Sequence, residues 1–499
     1  MGATGASTKD KSEYRSIFKA TSLFGGVRVF TILISIIRSK IVALLIGTTG
    51  VGIVGLFTSG TTLIQSITQL GLSQSAVRDV SEANASGNQA RVNRVVTVLR
   101  RLVWFTGLLG MLCVIAFSPI LSKTSFGNDD YTLAFILLSV TLLFAQLSGG
   151  QNVILQGTRR LKNLAKASVW GSLLGLVICV PLYYWLGVKG IVPNLILGAF
   201  TGMLLSWYYA RKVPYTPVKL TIGEIIQEGG QMLKMGIAMS VSGVLVALSA
   251  YILRSFINRQ GGIDEVGLFQ AGFAIMTTYV GLVFSAMGTD YYPRLSAVNK
   301  DNEKCKVIMN QQGEIGILIL APLILACIVF VPWIVRILYS ERFLGANDYI
   351  IWAASGMLFK MASWAISFIF IAKGESKLFM INETTVNIYS LGFQLLGYWL
   401  LGLKGVGVGF ALTHVCYFIQ VYTISRIRYG FRFTLDFNKV FILQLVLLAV
   451  CVVLTVMPAT VWMKYVFGAI LIIVSAWISL SGLEKRMGLL SSIKARLKK

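Results

Sequence analysis

Apolar runs of about 20 residues or more recur along almost the whole chain, separated by short stretches rich in Gly, Pro or basic residues. That is the length an α-helix needs to cross the hydrocarbon core of a bilayer. Inside hydrocarbon every backbone N–H and C=O must be satisfied within the chain, so only helices and closed barrels span membranes. The alternation of barrel strands is absent. Only 13% of the 499 residues are charged, against roughly a quarter in soluble proteins. The sequence therefore predicts an all-α polytopic membrane protein.

Hydropathy, read against Gly, Pro and charge breaks, predicts about fourteen transmembrane helices. Six lie near 17–46, 50–77, 95–121, 131–156, 165–186 and 190–210, and six more near 231–257, 266–291, 314–338, 348–372, 378–401 and 405–425. Two others follow near 438–458 and 461–482. The first run is too long for a signal-peptide core and lacks a small-residue cleavage site, so it reads as a retained span.

The net charge of +25 is unevenly placed. Clusters such as "RVNRVVTVLRR" (91–101), "TRRLKNLAK" (158–166) and "SRIRYGFR" (425–432) fall in one set of connections, and the alternate set holds few basic residues. Basic loops stay cytoplasmic, which places both termini on the cytoplasmic side of the membrane. The same distribution argues against a nucleic-acid partner, because no soluble domain organises the charge, and favours anionic membrane lipid. The longest cytoplasmic connection, about 292–313, is too short for a catalytic domain, and no nucleotide-binding motif is present. No metal site is expected: His414 is the sole histidine, and the six cysteines show no paired spacing.

The chain also repeats itself. "VGLFTSG" (54–60) faces "VGLFQAG" (266–272), "IRSKI" (37–41) faces "LRSFI" (253–257), and "FGNDDY" (126–131) faces "LGANDY" (344–349). "QGTRRLKN" (156–163) then faces "KGESKLFM" (373–380), which pairs Gly157 with Gly374, and "YWLGVKG" (184–190) faces "YWLLGLKG" (398–405). The offset stays between 212 and 218 throughout. This predicts two pseudo-repeated six-helix lobes, at 1–220 and 221–430, with two extra C-terminal helices and a basic tail at 431–499. Six is even, so both copies enter the membrane in the same direction, as in transporters that rock two halves about a central site.

Within the predicted spans the charges are mostly positive: Arg28, Arg38 and Lys40 in the first, Arg254 near the outer end of the seventh, and Lys360 near the middle of the tenth. A basic residue at mid-membrane costs about 2.5–3.5 kcal/mol, so it is expected to face a partner or a wet cavity. Snorkelling to the outer interface is the alternative for Arg38 and Lys40. The acids near the spans, Asp79, Asp290, Glu314 and Glu383, lie mostly toward the inner face, where solvation alone accounts for them. A positive cavity selects an anion, and phosphate or diphosphate fits it better than a cationic drug. With no nucleotide motif, coupling to a proton or sodium gradient is expected, with Asp79, Asp290 and Glu383 as candidates.

The stretches "SIFKATSLFGG…RSKIVALLIGTTGVGIVGLF", "FGNDDY", "DEVGLFQAG", "YYPRLS" and "IAKGESKLFMINE" resemble the O-antigen and enterobacterial-common-antigen flippases. These are polysaccharide transporters of the multidrug/oligosaccharidyl-lipid/polysaccharide superfamily, and the likeness covers roughly residues 14–427. The resemblance implies a non-enzymatic flippase without a cofactor. Such a protein carries an undecaprenyl-diphosphate-linked oligosaccharide to the outer leaflet of the bacterial inner membrane, beside a polymerase and other assembly proteins. It also implies a cation-lined cavity, with Arg28, Lys40 and Lys360 at basic positions of the family and Asp264-Glu265 at its acidic pair. The O-antigen branch typically stops at twelve spans and the peptidoglycan-precursor branch has fourteen, so a peptidoglycan-precursor flippase stays open. A multidrug or cation exporter fits less well, because it wants an acidic cavity. A membrane polymerase or glycosyltransferase also fits less well, because it wants a long outer loop.

Overall fold

Long runs of Leu, Ile, Val, Phe and Ala form helices here because only intrahelical bonds satisfy a backbone in hydrocarbon. A computed structural model describes residues 8–458 and 460–487, with side chains at Val27 and from Phe30 onward except at 238, 239, 279, 289 and 487. Among the described residues the structure is helical, without a strand. Its contacts divide it into two units, the first ending at Arg259.

The first unit holds α1 (Thr8–Thr68), α2 (Leu72–Ala85), α3 (Gln89–Phe126), α4 (Thr132–Gly157), α5 (Leu161–Leu186), α6 (Ile191–Ala210) and α7 (Ile222–Gly261), whose end leads into the second. Short α2 does not span. It lays Leu72, Ala76 and Val80 on Val96 and Leu99 of α3 and on Val153 and Ile154 of α4. The second unit holds α8 (Ile263–Ala274), α9 (Gly281–Ala297), α10 (Asn302–Val329), α11 (Val331–Leu338), α12 (Ala346–Ser355), α13 (Met357–Ala372), α14 (Ser376–Tyr429), α15 (Leu435–Val456) and α16 (Val461–Met487).

By length and apolar composition ten helical segments among the described residues can cross a membrane, or eleven if α12 and α13, bent by 48°, form one span. Several are longer than one crossing. A straight helix of 54 residues, the length of α14, would reach about 80 Å, against hydrocarbon of about 30 Å. Instead α14 breaks at Gly402 (φ 60°, ψ −144°) and doubles back. A Cβ on Gly405 would stand 1.8 Å from the carbonyl oxygen of Gly397, so only glycine permits that approach. The α5–α6 segment turns at Gly187 (φ 53°), and Asn194 Nδ2 donates to Tyr183 Oη across it at 2.9 Å. In α1 the break is Gly47 (φ 63°, ψ −165°).

Local features recur in the two units. Phe57 meets Tyr131 edge-on at 5.8 Å, and Phe269 meets Tyr349 edge-on at 5.2 Å. Gly187 and Gly402, equivalent in the sequence repeat, carry the same positive-φ break. One pairing shifts. After α4, Arg159 takes φ 55° and Arg160 N–H donates to Leu155 O at 2.8 Å. After α13, Gly374 takes φ 72° and Glu375 N–H donates to Phe370 O at 2.9 Å. These are the same left-handed helix terminators. Arg159, rather than Gly157, therefore corresponds to Gly374. Gly157 instead packs against Val80 inside the unit.

The two C-terminal helices are tied down by polar contacts. Ser475 Oγ donates to Gln444 Oε1 at 2.7 Å between α16 and α15. Arg486 then grips Glu314 of α10 with Nε at 2.7 Å and Nη2 at 3.0 Å. Glu314 is thus buried and paired, where the sequence suggested simple solvation.

Candidate functional site

Lys360 stands one turn beyond the α12–α13 bend, its N–H bonded to Gly356 O at 3.0 Å. Its Nζ lies 5.5 Å from the centroid of Phe284 on α9 and 5.5 Å from that of Phe410 on α14. No carboxylate pairs with it among the described residues. Two ring faces offer a desolvated cation about 2 kcal/mol or more. Placing it at mid-membrane costs about 2.5–3.5 kcal/mol. The rings therefore offset much of the cost without neutralising the charge, which leaves a cation ready for an anion.

His414 completes this cluster. Its ring meets Phe410 edge-on at 4.6 Å, one helical turn along α14, and lies close enough to feel the Lys360 charge. Its Nδ1 is buried without a hydrogen-bond partner among the described residues. In the sequence His414 has no evident role once a metal site is excluded. Its being the only histidine was the one signal available, since the fold-back of α14 and the packing of α13 are what bring it near Lys360.

The other proposed cations are placed differently. The Arg28 side chain lies outside those described. Arg38 is half-buried against α5, near Cys179, and its Nη1 would stand 3.7 Å from a Cβ on Gly175. Lys40 is half-buried and is not a free charge. Arg254 is buried, with Nη1 donating to Ala250 O in its own helix at 3.0 Å, and it too is engaged.

The acids do not gather into one cluster. Asp290 is exposed and paired with Arg294 at 2.7 Å. Glu383 is half-buried and accepts from Tyr417 Oη at 3.1 Å, inside a network that joins Asn382 and Gln420 across the folded α14. Glu265 of the acidic pair accepts from Tyr398, and Asp264 is engaged as well. Asp79 lies on α2 in a cleft of about 520 Å³ with Arg78, Glu82, Arg91, Arg94 and Glu228. Burial holds its carboxyl above the usual range, against the pull of Arg78 and Arg91. No group of acidic, histidine or cysteine side chains among the described residues is placed to hold a metal.

Comparison with known proteins bears on this arrangement. Residues 41–348 match the model of the family described as polysaccharide biosynthesis protein. The chain is 21% identical over 418 residues to the lipid III flippase of Escherichia coli (strain K12), covering 81% of this chain and 96% of that one. Its fold is similar to an inward-facing multidrug resistance MATE family transporter of the MOP superfamily, with a TM-score of 0.65, 18% identity, and 83% and 96% of the two chains covered. It is also similar to the lipid II flippase MurJ in an inward closed conformation, with a TM-score of 0.64, 11% identity, and 94% and 99% covered. These relatives are flippases and transporters, not enzymes. The family match spans more than half of the chain, and with it this multi-pass membrane protein belongs to the polysaccharide biosynthesis protein family, with the fold of the MOP superfamily of transporters.

Proposed function

We propose that the protein flips an undecaprenyl-diphosphate-linked oligosaccharide, an O-antigen or related surface-polysaccharide repeat unit, from the inner to the outer leaflet of a bacterial inner membrane. The observation that carries this reading is Lys360: a membrane-embedded cation held by two aromatic faces, with no carboxylate partner among the described residues. A polyprenyl tail is soluble in hydrocarbon and a diphosphate is not, so transport reduces to replacing water around the diphosphate. Lys360 supplies charge for that, and Arg28 and Lys40 of the first span are further basic residues to test for the same role. The likeness to a lipid III flippase over nearly that protein's full length supports a lipid-linked cargo.

The membrane path is read as fourteen passes. Dividing the three long segments at Gly47, Gly187 and Gly402 raises the eleven spans to that number. Basic connections then place both termini in the cytoplasm, and the two repeats alternate access by rocking. The energy comes from a proton or sodium gradient, with Asp79, Asp290 and Glu383 as the acids to test.

A peptidoglycan-precursor flippase is the second reading, favoured by the likeness to the MurJ structure over 94% of this chain. Mass spectrometry of the lipid that accumulates on gene deletion separates the two. A polyprenyl-diphosphate glycan repeat supports the first reading, and a peptide-bearing precursor supports the second. No accumulation of any polyprenyl-linked glycan refutes both.

A further inference from the structure

In the first unit, α3, α4 and α6 enclose an apolar groove of about 450 Å³, lined by Leu99, Val103, Trp104, Leu143, Leu204 and Trp207. Trp104, Leu204 and Trp207 are exposed on its rim. Gln151 Oε1 accepts from Ser206 Oγ at 2.5 Å, and apart from Gln151 and Arg100 the lining is apolar, so the groove asks for a hydrocarbon chain rather than a polar ligand. Cations crowd one end. Arg100 lines the groove and lies over the Tyr215 ring at 4.5 Å. Arg211 lies over Trp207 at 5.0 Å, and Lys212 over Tyr208 at 4.3 Å. Arg101 lines the adjoining depression with Arg100 and Tyr215.

The contrast with neighbouring charges decides what sits there. Three turns or less back along α3, Arg91 pairs with Glu82, and Arg94 with Glu224 and Glu228. Arg100, Arg101, Arg211 and Lys212 have no carboxylate partner among the described residues. Aromatic faces hold three of them while leaving their charge uncompensated. Basic pockets between helices at the cytoplasmic surface are where anionic headgroups bind, and Trp and Tyr mark the interfacial level.

The geometry points to a specific site for an anionic phospholipid of the cytoplasmic leaflet: its phosphodiester between Arg100, Arg211 and Lys212, one acyl chain in the groove. This site is built entirely from the first unit and does not depend on what the protein transports.

Native mass spectrometry of the purified full-length protein tests it, with phosphatidylglycerol and phosphatidylcholine as probes. Phosphatidylglycerol is retained on the parent protein in preference to phosphatidylcholine. Arg100→Ala with Arg211→Ala lowers that retention by about tenfold or more, given about 1 kcal/mol per basic residue at such a surface. Leu204→Trp, which fills the groove and keeps every cation, also lowers it. Lys162→Ala with Lys166→Ala, which removes two exposed cations outside the groove, leaves it unchanged. Soluble glycerol phosphate does not compete. Equal retention by the groove variants and the parent overturns the site, as does an equal loss in the Lys162/Lys166 control. Effective competition by glycerol phosphate, or a preference for undecaprenyl phosphate over phosphatidylglycerol, overturns it too.

Discussion

The Lys360 Nζ lies 5.5 Å from the centre of the Phe410 ring, and the same ring meets His414 at 4.6 Å on the next turn of α14. One aromatic side chain thus bridges the embedded cation and a buried, unsatisfied imidazole nitrogen.

Removing the cation tests its role directly. Lys360→Ala should reduce glycan export at least tenfold while protein levels stay near those of the parent, because loss of an embedded charge relieves an insertion cost of about 2.5–3.5 kcal/mol. Lys360→Arg should retain part of the activity, since charge matters first and geometry second. Export is read from surface polysaccharide on immunoblots. Parental export by Lys360→Ala would assign Lys360 a structural role.

How much of this was legible in the sequence depends on which interactions are local. The apolar runs announced the helices, and the heptamers at 54 and 266 located Phe57 and Phe269, whose edge-on aromatic contacts match. The turns at Gly47, Gly187 and Gly402 fall in the predicted gaps 46–50, 186–190 and 401–405, where glycine interrupts the apolar runs; only their positive φ leaves no compositional mark. The Arg159–Gly374 correspondence was hidden because a non-glycine residue adopts the left-handed conformation in one copy. Contacts between distant residues left no trace either: Glu314 meets Arg486 across 172 positions, and Arg38 finds Cys179 only once α1 packs on α5.

The Glu314–Arg486 pair should be a principal anchor of α16. Glu314 is only 10% exposed, so removing Arg486 strands a nearly buried carboxylate. Arg486→Ala is expected to cost about 3 kcal/mol, the lower end for a broken buried pair because the arginine is partly solvated. Thermal unfolding in detergent measures this, and the exchange Glu314→Arg with Arg486→Glu should restore part of the loss. An Arg486→Ala protein as stable as the parent would show that the pair does not anchor α16.

Arg94 should contribute far less. It reaches Glu224 at 3.2 Å and also Glu228, but these groups are a third or more exposed. Arg94→Ala is expected to cost about 1 kcal/mol or less. The difference should shrink at about 1 M salt, where screening acts over about 3 Å. A salt-independent loss would point to packing instead.

Asp79 gives a pH signature. Burial raises its carboxyl above the ordinary 3.8, so the folded protein binds that proton more tightly than the unfolded chain. The stability it contributes is therefore full below the ordinary value and is lost as pH rises through the raised one. Asp79→Asn, neutral throughout, should be more stable than the parent at neutral pH, with the gap closing as pH falls into the ordinary carboxylate range. Unfolding temperature against pH measures it, and a gap that widens on acidification reverses the sign.

The most direct measurement places purified protein in liposomes carrying a polyprenyl-diphosphate oligosaccharide in both leaflets. A membrane-impermeant glycosidase is added outside, and the fraction of glycan cleaved is followed in time. With the parent protein cleavage should proceed past the outer-leaflet share toward completion. With Lys360→Ala it should stall near that share, as in protein-free liposomes. A parent protein whose cleavage stalls with the protein-free control, with and without an imposed proton or sodium gradient, would contradict the proposal that this chain flips lipid-linked glycan.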